Sequence, residues 1–131
     1  MLTQYERFMG GPMVSARDRD RVTIDSKARI TMNRKTFETL GEPEAVALAY
    51  DKVNGVIAIE RVSAQLPEAF PIYVAKGAWI IFAASFCRHI GLRLDRTMKF
   101  DEPKFLPDHT LLLDLRNMSA AGWKIYKPKQ A

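Results

Sequence analysis

The sequence predicts a mainly β domain with short helices, an α+β fold built from two tandem ββαββ modules. Three observations predict it. The run from Lys27 to Gly41 returns, degenerate but in order, as Lys76 to Gly91, with ten steps from Lys to Phe in both copies (Lys27 to Phe37, Lys76 to Phe86). Each copy closes on an apolar residue plus glycine, Leu40-Gly41 and Ile90-Gly91. Short runs of alternating apolar residues flank each copy and are broken by turn residues. At 131 residues the chain is long enough for one core and too short for two independent ones, so the modules are expected to interlock.

Residues 1–20 lack periodicity, contain Gly10-Gly11-Pro12 and end in alternating arginines and aspartates, which reads as a flexible arm. Residues 21–62 form the first module. Val22 and Ile24 alternate with Thr23 and Asp25, Ser26-Lys27 makes a turn, and Ala28 to Met32 alternates again, a short hairpin. Asn33 is an acceptable helix N-cap, and Arg34 to Leu40 spans about two turns with Phe37 and Leu40 on one face. Gly41 caps the end and Pro43 blocks continuation. Ala45 to Tyr50 and Val56 to Arg61 then form a second hairpin around Asn54-Gly55.

Residues 63–69, with Pro67, are the linker, and residues 70–115 form the second module. Ile72 to Ala75, a Lys76-Gly77 turn and Ala78 to Phe82 make its first hairpin, and a short helix covers Ala84 to Ile90. Arg96 to Phe100 and Thr110 to Leu115 are expected to close it as a hairpin with a longer loop, Asp101 to Asp108. Trp79-Ile80-Ile81-Phe82 is apolar on both faces, so it should lie deep or against another chain. Residues 116–131 form a tail with Trp123 and Tyr126 among Lys124, Lys127 and Lys129.

Composition excludes several classes. Hydrophobic residues make up 47% and charged residues 27%, a soluble globular balance. The longest apolar run, Gly77 to Cys87, is about half of a membrane span, so no membrane association is expected. The single Cys87 has no disulfide partner, which fits a reducing, cytoplasmic setting. His89 and His109 stand twenty residues apart with no third ligand, so no metal and no cofactor is expected. No Cys-His-acid set, phosphate-cradling glycine loop or nucleophile elbow is readable, and catalysis is not expected. Formal charge is +5, compatible with an anionic partner.

Ile24-Asp25-Ser26-Lys27-Ala28-Arg29-Ile30-Thr31-Met32, a capped short helix ending in Leu40-Gly41, and two further strands joined by a tight turn resemble the AbrB/SpoVT-type swapped-hairpin family. The likeness covers residues 22–62 and, more weakly, 70–115. Ala28 stands where that family has Gly, and Asn33 where Pro is common. The resemblance implies a double-psi or swapped-hairpin-like β-barrel in which two modules interdigitate their hairpins. It also implies duplex DNA as partner, held by the basic hairpin and helix start: Lys27, Arg29, Arg34 and Lys35. Such cations on a rigid hairpin can reach phosphates, and arginine can fork onto a guanine edge. A solvated face of a basic domain is the plain alternative for these four.

Arg21, Lys124 and Lys127 are accessory nucleic-acid candidates, and Trp123 and Tyr126 either stack on nucleic acid or, the plainer reading, cover an exposed barrel edge. Counted from Lys76, the second copy has Ala78, Ala83 and Ala84 at the places of Arg29, Arg34 and Lys35, so its basic face is missing. Homodimerisation through the apolar second module would restore two basic halves. The functional expectation is a DNA-binding transcriptional regulator of prokaryotic or phage origin. The second reading is a protein-interaction module, antitoxin-like or host-factor-binding, that has lost DNA binding and uses the apolar second copy and the tail.

Overall fold

A computed structural model describes residues 19–121. Ten strands and two helices follow one another as β1 (Val22–Ile24), β2 (Arg29–Met32), α1 (Arg34–Leu40), β3 (Ala45–Asp51), β4 (Val56–Val62), β5 (Phe70–Ala75), β6 (Ala78–Phe82), α2 (Ala84–Ile90), β7 (Met98–Phe100), β8 (Lys104–Phe105), β9 (Leu111–Asp114) and β10 (Met118–Ala120). The fold is mainly β, and the strands form one curled antiparallel half-barrel in the spatial order β10-β7-β1-β2-β6-β5-β3-β4-β9-β8.

That order mixes the two repeats. β1 of the first repeat pairs with β7 of the second, Thr23 opposite Lys99, while β5 of the second pairs with β3 of the first, Val46 opposite Phe70. At the seam β2 lies against β6, pairing Arg29 with Phe82, Ile30 with Ile81, Thr31 with Ile80 and Met32 with Trp79. Thr31 and Ile80 hold the same place counted from Lys27 and Lys76, so the register is symmetric about that pair, as expected of a duplicated unit folded on its own copy.

Burial follows the pleat. Val22, Ile24, Ile30, Met32 and Ile81 point inward and are fully buried or nearly so, and they meet Leu40, Val46, Ile57, Ile59, Leu111 and Leu113 in one cluster. Both repeats contribute to this one core. In β6, Trp79 and Ile81 are buried, Ile80 is half-buried and Phe82 is 52% exposed. The strand is therefore apolar on its outer face as well, where Tyr73 of β5 meets Phe82 edge-on at 5.1 Å.

One pairing differs from the sequence expectation. β9 does not close a hairpin with β7. It lies on the free edge of β4, placing Leu113 opposite Ile57 and Leu111 opposite Ile59, and is flanked by the two-residue β8. β7 instead pairs with β10, Phe100 opposite Met118, so a segment read as tail supplies a strand. Leu111 and Leu113 gain more burial beside the isoleucines of β4 than a short hairpin with β7 would offer. β10 carries only one large apolar side chain, Met118, and so has no alternating pattern to betray it.

The helices end as their sequences predict. The Asn33 side chain accepts from the Thr36 N–H at 3.0 Å, and Gly41, in the left-handed region, donates to Glu38 O. The end of the expected flexible arm is fastened here. Buried Thr36 accepts from the Arg21 N–H at 3.0 Å and donates to Asp20 at 3.3 Å, and the Asn33 amide donates to Arg19 O at 2.7 Å. The rest of the arm lies outside the described residues.

In the first hairpin Ser26-Lys27-Ala28 forms a three-residue loop, closed by Ala28 N–H to Asp25 O at 2.9 Å, with Ala28 in the left-handed region at φ 62°. An alanine there carries a Cβ penalty of about 1–2 kcal/mol, partly offset by the greater chain entropy of glycine. Ala28→Gly is expected to stabilise the domain by about 0.5–1 kcal/mol, read as a higher urea midpoint at unchanged slope.

Candidate nucleic-acid interface

Asp25 organises the tip of the first hairpin. Its carboxylate accepts from the Lys27 and Arg29 N–H groups at 2.9 Å each and pairs with the Arg29 guanidinium at 2.7 Å. Partial burial alone would raise its pKa. The Arg29 N–H and guanidinium and the Lys27 N–H outweigh that, and the pKa lies below the ordinary value of 3.8. Lys27 is exposed on this fixed turn and makes no ion pair among the described residues. Arg29 is exposed although paired.

A carboxylate whose folded pKa is depressed stabilises the fold above its unfolded pKa and loses that contribution as pH falls through the folded value. Wild type is therefore expected to lose more stability than Asp25→Asn as pH falls from about 5 to below the ordinary value of 3.8. Asp51, Asp108 and Asp114 are also lowered, but they are common to both proteins and cancel in the difference. Equal losses in urea titrations across that range would remove Asp25 from this role.

Arg34 and Lys35 stand at the start of α1. The Arg34 guanidinium lies 5.3 Å from the Trp79 ring centroid and 3.8 Å from Glu38, and Trp79 stacks on Phe37 at 5.0 Å with an interplanar angle of 14°. Arg34 is thus oriented by an aromatic from the other repeat. Lys35 approaches Asp20 at 3.8 Å, and Arg21 is exposed beside the same helix start.

The four cations form two groups and not one cluster. Arg29 opens β2 and Arg34 begins α1 just past its far end, roughly 16 Å away along an extended stretch at about 3.3 Å per residue. The exchange of hairpins sets what each group meets. The tip bearing Lys27 and Arg29 docks on α2, where Ala83 N–H donates to Ala28 O at 2.9 Å, and there Lys27 shares a cleft with Arg88 and Arg93. No local signal could have joined Arg88 and Arg93 to Lys27, because the strand exchange alone brings them together. Lys124, Lys127, Trp123 and Tyr126 lie outside the described residues.

The second repeat lacks the basic pattern in the structure too, with a shift of one residue. β6 runs one residue further than β2, ending on Phe82, so Ala83 matches Asn33, Ala84 matches Arg34 and Ser85 matches Lys35. Ala78 still matches Arg29.

Among the described residues no group of three His, Cys, Asp or Glu side chains could hold a metal. Cys87 is buried, and burial pushes its thiol pKa up, away from the reactive thiolate. No helix among the described residues is long and apolar enough to cross a membrane. No family model, no curated protein and no solved structure matches this chain.

Proposed function

We propose that the chain is a DNA-binding transcriptional regulator of prokaryotic or phage origin that grips duplex DNA with the hairpin tip and helix start of its first repeat. The observation that carries the reading is the state of the cations. Lys27 and Arg29 ride on a turn locked by Asp25, the Arg29 side chain is held by the same carboxylate, and Arg34 is propped on Trp79, so little loop entropy, and little side-chain entropy at the two arginines, is lost on meeting phosphates. The exchange of β1 and β5 between repeats supports the finer reading of the half-barrel as a swapped-hairpin barrel of AbrB/SpoVT type.

One chain then offers a basic half and a bland half. Homodimerisation through the second repeat supplies the other basic half, with Tyr73 and Phe82, each more than half exposed on the outer face of β5-β6, as the contact. The same patch favours the second reading, a protein-interaction module whose partner covers these side chains.

Gel shift of a mixed duplex pool tests the proposal. Wild type is expected to bind, and Arg29→Ala with Arg34→Ala to weaken binding by about tenfold per arginine, the worth of one charge-assisted hydrogen bond. Absence of any shift at low salt would overturn it, and loss of a captured protein partner on Phe82→Ser would favour the second reading.

A further inference from the structure

The cleft between the first hairpin and α2 has a volume of about 530 Å³ and is walled by Ser26, Lys27, Arg88 and Arg93, with Cys87 and Leu92 among its apolar residues. A side cavity of about 230 Å³ continues it along Leu92 and Arg93. This size lies within the usual range for small-ligand sites. Three of the polar walls are cationic, and none of the three makes an ion pair among the described residues. The one carboxylate lining the side cavity, Asp25, is already committed to Arg29 and two backbone N–H groups. Three cations left without counter-charge around one concavity repel one another, and an anion seated between them removes that cost.

We propose that this cleft is a phosphate-binding site formed between the two repeats, with Lys27, Arg88 and Arg93 as its ligands and Ser26 as a neutral hydrogen-bonding partner. Arginine suits the oxygens of a phosphate because its planar fork makes two parallel hydrogen bonds. The apolar wall of Ala84, Cys87 and Leu92 accepts the uncharged part of a phosphoester. The phosphate can come from a free nucleotide or from the backbone of a duplex, and the chemistry at the three cations is the same. Only the duplex source depends on the DNA-binding reading.

The test measures binding of fluorescent N-methylanthraniloyl-ATP and of a labelled short duplex to wild type, to Arg88→Ala/Arg93→Ala and to Arg29→Ala/Arg34→Ala. All four arginines are exposed, and far-UV circular dichroism checks that the variants fold. For the free-nucleotide source, the ATP analogue binds wild type, is displaced by pyrophosphate, and loses about tenfold affinity per arginine in Arg88→Ala/Arg93→Ala. That result supports the site whether or not the duplex binds. For the backbone source, only the duplex binds and loses affinity in the same variant.

Duplex binding that depends on Arg29 and Arg34 but is untouched in Arg88→Ala/Arg93→Ala, with no nucleotide binding, overturns the cleft and leaves the DNA reading standing. Nucleotide binding that is indifferent to Arg88 and Arg93 also overturns it, and binding of neither probe overturns both.

Discussion

Trp79→Ala is expected to lower the unfolding free energy by about 3–5 kcal/mol, a large part of the roughly 5–15 kcal/mol that holds an ordinary domain together. Trp79 is only 7% exposed, stacks on Phe37 and lies beneath Arg34. It stands on β6 opposite Met32, so the one side chain joins α1 and β2 of the first repeat to the second. Removing it opens a cavity and frees the helix start that carries Arg34 and Lys35. Trp79→Phe keeps the ring stack and should recover more than half of the loss. Urea unfolding read by far-UV circular dichroism gives both values, and a loss below about 1 kcal/mol for the alanine variant would contradict the packing described.

Separating the repeats has a still larger expected effect. Fragments 19–66 and 67–121, expressed apart, are expected to be unfolded, and mixing them is expected to restore a cooperative transition. In the sheet order β1-β2 reaches β3-β4 only through β6-β5, so the first repeat alone is two hairpins with no shared edge. Isolated hairpins are marginal in water. The second repeat alone loses β1 and β2 from between β7 and β6, and β3 and β4 from between β5 and β9. A cooperative melt in either fragment by itself would show that a repeat has a core of its own.

Local structure was legible where local chemistry decides it. Asn33 and Gly41 bracket α1 as a side-chain cap and a left-handed cap must, and the alternation Val22-Thr23-Ile24 marks a half-buried strand. The repeated order of Lys27 to Gly41 in Lys76 to Gly91 was legible too, and the register of β2 on β6 is symmetric about it. Strand partners were not. Which edge Leu111 and Leu113 cover depends on the exposed flank of β4, fifty or so residues away in sequence, and nothing between Asp101 and Thr110 records it. β10 is three residues with one large apolar side chain, too short for a period to show.

The candidate interface was legible in part for the same reason. Lys27, Arg29, Arg34 and Lys35 stand out as cations on a turn and a helix start. That they fall into two groups follows from the rigid length of β2, and that Lys27 meets Arg88 and Arg93 follows from the exchange of hairpins between repeats. The fixing of Arg29 by Asp25 could have been anticipated from the i,i+4 spacing of Asp25 and Arg29 around a turn, because aspartate commonly accepts from backbone N–H groups two to four residues ahead.

The most direct measurement is the affinity of the full chain for a short duplex as a function of salt. Four cations on phosphates predict a log–log slope of at least about −3 per protomer engaged, and each of Lys27→Ala, Arg29→Ala, Arg34→Ala and Lys35→Ala should flatten it by about one per protomer. A slope near zero, or no binding at low salt, would contradict the account.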